Sequence, residues 1–129
     1  MSRNPESLMY QRMKKGITRA ILTRVESWVN LGIPDCIAAL EGRFFLIELK
    51  ILRAGNKVSI RPHQVAFHSM HGGFPCFLLV EVGVGRKKEL RLYHARQVLE
   101  LAQEGVKLAP VGVFPGGDWE GLENFLLQW

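Results

Sequence analysis

The chain is short of cysteine. Cys36 and Cys76 are the only two, each lies inside an apolar run, and no Cys-x-x-Cys pair occurs. That excludes a disulfide framework and points to two buried thiols in a reducing compartment. The histidines do not supply a zinc module either, because His63, His68 and His71 lack a clean His-x-x-x-His spacing. Long apolar runs are also missing, so no segment approaches the ~20 residues that span a bilayer. The first residues show no charged-then-apolar leader pattern, and the chain has no internal repeat or low-complexity tract. A cytoplasmic protein with no membrane partner is expected.

What remains is a chain of 129 residues, 47 % hydrophobic, with a formal net charge of +5. That length predicts a single domain over 1–129 with a core large enough to fold without staples. The positive balance favours a polyanionic partner, although it also fits many solvated proteins.

Local signals order the elements. Asn4-Pro5-Glu6 reads as a helix start, with Asn4 as cap and Lys14 and Lys15 near the far end. Leu8, Met9, Met13 and Ile17 form its apolar stripe up to Gly16, and a weak continuation could reach Ala20. Ile21 to Val29 alternates with β-branched residues on one parity, which predicts a strand. Two apolar runs around Glu41-Gly42-Arg43 read as a β-hairpin, the second ending at Lys50. Ile51 to Lys57 reads as a mobile basic loop. Pro62 opens a second helix that Gly72-Gly73 stops. Cys76–Val82 is almost continuously apolar and predicts a buried strand, and Glu89–His94 is expected to pair with it. A helix over Ala95–Glu104, a short strand or loop over Val106–Pro115 and a last helix capped by Asp118 complete the chain. The fold class is therefore α/β, a mixed sheet with helices on both faces.

The hairpin carries the chemistry. Asp35 opens its first strand, and Glu48 and Lys50 close the second, two residues apart on one face. Antiparallel pairing brings all three to one end. Two carboxylates at the edge of an apolar sheet are costly to desolvate unless a cation lies between them. Asp35 and Glu48 are hard oxygen donors suited to Mg²⁺ or Mn²⁺. The bland alternative is a turn aspartate and a solvated strand end.

Pro34-Asp35 followed by Glu48-Leu49-Lys50 resembles the motif of the PD-(D/E)xK nuclease superfamily. Arg61-Pro62-His63-Gln64 resembles the helix of its virus-type replication-repair nuclease branch, in which a glutamine faces the site. The archaeal Holliday-junction resolvases share a similar hairpin. Arg24-Val25-Glu26 ahead of Gly32-Ile33-Pro34-Asp35 is similar to small phage members. The resemblance covers about residues 1–95 and leaves a helical extension over about 95–129 without a counterpart. It implies a restriction-endonuclease-like core and a metal-dependent DNA endonuclease, phage in origin, selective for branched DNA such as a four-way junction. It implies Asp35, Glu48 and the Leu49 main-chain carbonyl as metal ligands, Lys50 as the group acting on water or phosphate, and Gln64 as its positioner. It implies a further acid as well, with Glu26 ranked slightly above Glu6. Arg24, Arg53, Lys57, Arg61 and His63 are candidate DNA contacts. Two symmetric cuts imply a homodimer, with the apolar C-terminal helix as its contact. A non-catalytic nucleic-acid-binding module and a single-strand or RNA nuclease remain the alternatives.

Overall fold

We describe residues 4–26 and 32–129 from a computed structural model. Helix α1 (Pro5–Gly16) leads to β1 (Ile21–Arg24), β2 (Cys36–Leu40) and β3 (Arg43–Leu52). Helix α2 (Pro62–Met70) then connects to β4 (Cys76–Val82), followed by β5 (Glu89–His94), α3 (Val98–Glu104), β6 (Gly112–Pro115) and α4 (Trp119–Leu127). The strands form one sheet in chain order. Every neighbouring pair is antiparallel except β3 and β4, which run parallel. Parallel neighbours need a crossover, and α2 supplies it.

Strand parity separates two cores. Cys36, Ala38, Phe45, Ile47, Leu49 and Leu79 point to the face covered by α1 and α4, where Met9, Met13, Trp119 and Leu122 meet them. Leu78, Val80 and Tyr93 point to the opposite face, against Val98, Leu101 and Val58. Each fully buried side chain of this kind contributes about 1.5–3 kcal/mol. Strand β4 has helices on both sides, which explains its unbroken apolar run. Ile47 and Leu49 face α1, so Glu48 and Lys50 face α2.

Several boundaries differ from the sequence expectation. Helix α1 is capped by Asn4, whose side chain accepts from the Ser7 amide at 2.7 Å, but it stops at Gly16 and does not continue to Ala20. A Cβ at Gly16 would lie 2.5 Å from Trp119, so the end of α1 is set by α4 packing on it. Leu8 is exposed and Tyr10 is buried in its place. Strand β1 ends at Arg24, opposite Cys36 where β2 begins, and not at Val29. Residues 27–29 of the expected strand lie outside the described residues. Strand β3 runs past Lys50 to Leu52, because β4 continues to offer it a partner. The first turn of the expected helix over Ala95–Glu104 is a 3₁₀ turn, and α3 proper begins at Val98.

The basic loop after β3 is tethered, contrary to the expectation of mobility. The Val106 amide donates to the Asn56 carbonyl at 2.8 Å, and Val58 is buried. The last third is not a helical extension: β6 completes the sheet, and α4 buries Trp119, Leu122 and Leu126 in the main core. Arg43 ties the end of α4 to the hairpin, its Nη2 donating to the Leu126 and Leu127 carbonyls, each at 3.1 Å. The apolar face of α4 is thus largely spent on its own fold. Among the described residues, no helix is long and apolar enough to cross a membrane.

Candidate active site

The site is built on hairpin register. Glu41 and Gly42 both take positive φ, 51° and 75°, as a two-residue primed turn requires. That turn pairs Leu40 with Arg43 and, four steps on, Cys36 with Ile47. One further step sets Asp35 across from Glu48. Strand β2 has ended there, while β3 continues. Leu46 and Leu52 direct their main-chain groups toward β4, through Pro75 and Gly83. Leu49 therefore directs its own toward the vacated β2 side. Its amide donates to Asp35 Oδ2 at 2.8 Å, and its carbonyl faces the same gap.

Helix α2 supplies the next part. Pro62 occupies its first turn and Gln64 the third helical position. Gln64 Oε1 accepts from the Arg61 amide at 3.0 Å and from Lys50 Nζ at 2.8 Å. Gln64 Nε2 donates to Glu48 Oε2 at 2.9 Å. One amide side chain thus orients both the acid and the ammonium, which stand 3.8 Å apart. Gly32 allows the main chain at the start of α2 to approach closely. It has a φ of 75°, and a Cβ there would lie 2.1 Å from the His63 carbonyl.

Glu48 is only 3 % exposed, and its second oxygen, Oε1, has no hydrogen-bond partner. Burial, followed by the neighbouring negative charge of Asp35, pushes its carboxyl up to about 8, against the pull of Lys50. A buried carboxylate oxygen facing a second carboxylate is a donor set that suits a hard divalent cation. The residues therefore fit the expected metal.

A cleft of about 640 Å³ opens above them. Glu6, Arg24, Glu26, Asp35, Glu48, Lys50, Arg61 and Gln64 all line it. Glu6 and Glu26 are thus both in its wall, and Glu6 is the one whose charge adds to the rise at Glu48. Among the described residues, no three His, Cys, Asp or Glu side chains converge as a metal-holding group. Arg24 lies over the Tyr10 ring, 5.3 Å from its centroid. Arg53, Lys57 and His63 are exposed but do not line the cleft.

Two features escaped the sequence reading. Asn4 and Ser59 lie in the cleft wall. His68 is fully buried, and its Nδ1 lies 2.8 Å from the Gln64 carbonyl, one turn earlier on α2. Burial pushes its pKa down, which favours the neutral ring. The four-residue spacing from Gln64 is the signal that could have found it. Cys36 adjoins Asp35 in sequence, but burial raises its thiol to about 12, which makes it inert as a nucleophile.

No family model matches the chain, and no curated protein does. The cleft's own chemistry bears on function: four carboxyl groups, an oriented ammonium and two guanidinium groups, open to solvent.

Proposed function

We propose that the protein is a metal-dependent DNA endonuclease that hydrolyses phosphodiester bonds. The observation that carries this reading is the buried, unpartnered Glu48 Oε1 across from Asp35, with Lys50 held beside it by Gln64. The order helix, three strands, helix, strand, with β3 and β4 parallel, further supports the nuclease resemblance.

Asp35, Glu48 and the Leu49 carbonyl would hold Mg²⁺ or Mn²⁺. When bound, such an ion polarises a phosphoryl oxygen and acidifies a nearby water. Lys50 stabilises negative charge developing on the phosphate. Gln64 keeps that ammonium aimed and prevents its collapse onto Glu48. Arg24 and Arg61 neutralise the phosphates on either side of the scissile bond. Among the described residues there is one such cleft, so symmetric cutting of a four-way junction would require two copies.

Asp35→Ala or Glu48→Ala is expected to lower Mg²⁺-dependent cleavage by about 10³-fold while leaving DNA binding largely intact. Junction, flap, duplex and single-stranded substrates, assayed side by side, identify the preferred structure. Undiminished cleavage by the double variant would falsify the site. Failure of the wild-type protein to bind Mn²⁺ in calorimetry would favour a non-catalytic nucleic-acid-binding module.

A further inference from the structure

We propose that the end of the sheet where β3 and β4 finish is a second phosphate-binding surface. It grips the backbone of a DNA duplex arm that runs out of the cleft. The proposal rests on the nucleic-acid reading above and adds to it the path and the duplex character of the substrate.

Three loops meet at this end. Residues 53–61 follow β3, residues 83–88 join β4 to β5, and the 3₁₀ turn 105–107 follows α3. Hydrogen bonds tie them together. The Gly83 amide donates to the Leu52 carbonyl and the Val106 amide to the Asn56 carbonyl, each at 2.8 Å. A Cβ at Gly105 would lie 1.9 Å from the Asn56 oxygen, so the second contact depends on a glycine. These contacts bring the three loops together at one end of the sheet.

Together they present Arg53, Lys57, Arg86, Lys87, Lys88 and Lys107, five of them exposed and Lys88 half-buried. Among the described residues, none of the six takes part in an ion pair. Acids offset them only in part: Glu89 is paired with Arg91 at 2.8 Å, while Asp118, which caps α4 through the Gly121 amide, and Glu100 and Glu104 on α3 are exposed. A row of six cations in excess over these acids suits a polyanion.

The row begins where the cleft ends. Ile51, Val58, Ser59 and Arg61 line the cleft, and Arg53 and Lys57 stand on the loop between them. Neighbouring strands lie about 4.8 Å apart, so the ends of β3 to β5 span roughly 10 Å, or about three base-pair steps of 3.4 Å. The three loops contain no aromatic residue. Single-strand surfaces stack bases on aromatic rings, whereas a duplex turns its bases inward and offers phosphates. The ridge has the chemistry for the latter.

The test measures metal-free binding by fluorescence anisotropy, on duplexes of about 20 and about 6 base pairs and on a single strand of the longer length. The variant is Arg86→Ala/Lys87→Ala/Lys107→Ala, with the charge-reversed Lys87→Glu as a second. All three positions are exposed, and circular dichroism checks the fold. The triple variant is expected to bind the long duplex at least about 10-fold more weakly and to reduce the slope of log K against log salt by about 2 to 3. The short duplex, which can occupy the ridge or the cleft but not both, is expected to lose less affinity than the long one. Unchanged affinity for the long duplex in both variants overturns the ridge. An equal loss on the single strand overturns its duplex character. Ridge-dependent binding by a wild-type protein that cleaves nothing with Mg²⁺ or Mn²⁺ leaves the ridge standing and removes the nuclease reading instead.

Discussion

The two faces of the sheet treat buried carboxylates in opposite ways. On the α1 and α4 face, Glu81 is matched by Arg12 at 2.7 Å. Glu123 accepts the Arg19 and Ala20 amides at 2.9 and 2.7 Å, which fastens the link between α1 and β1 onto α4. On the α2 face, Glu48 is as deeply buried, yet one of its oxygens is unpartnered and a second acid stands beside it. The first two acids hold the fold together. The third is bonded through one oxygen to Gln64 and left unpartnered at the other, so its burial is less fully compensated.

The contrast can be broken from either side. Arg12→Ala would turn Glu81 into a buried acid without its partner. The expected loss is about 3 kcal/mol in urea unfolding, with cleavage unaffected under conditions where the variant is folded. A loss near zero would mean that water already satisfies Glu81, since the Arg12 side chain is 39 % exposed.

Glu48→Gln should do the reverse. In the unfolded chain Glu48 ionises near its ordinary 4.5, and in the fold only near 8. Between those values the folded state holds the extra proton, so stability falls as pH rises. In the presence of a chelator, the glutamine variant is expected to be more stable than wild type at pH 9, by at most about 5 kcal/mol, and nearly equal to it at pH 4. Thermal melts at the two pH values check this. A gain of the same size at both would assign the effect to packing and not to charge.

Glu123→Gln has the smallest expected effect. A glutamine oxygen can still accept both amides, so a loss below about 1 kcal/mol is expected. A large loss would show that the charge of Glu123, and not only its oxygen, holds the α1–β1 link, and would narrow the contrast with Glu48.

Much of the fold could be read from neighbouring residues. Pro62 and the Gly72-Gly73 stop bracket α2, the Glu41-Gly42 turn sets the hairpin register, and the unbroken apolar run of Cys76–Val82 marks the central strand. The ends of elements were less legible. Gly16 was readable as the end of α1, but not that Trp119, more than a hundred residues away, would leave no room for a side chain there. Leu52 remains in strand because Val82 lies beside it. The tether from Asn56 to Val106 likewise has no local signature.

The site divides the same way. The sequence alone determined that Asp35, Glu48 and Lys50 share one face and one end of the hairpin, because strand alternation and a two-residue turn are short-range rules. Only the tertiary structure decided that Gln64 reaches both Glu48 and Lys50, that Glu48 Oε1 is left without a partner, and that Glu6 lies near enough to bear on it. These facts depend on how α1 and α2 pack against opposite faces of β3. Packing is set by the shape of the whole core, and the spacing of residues along the chain does not encode it.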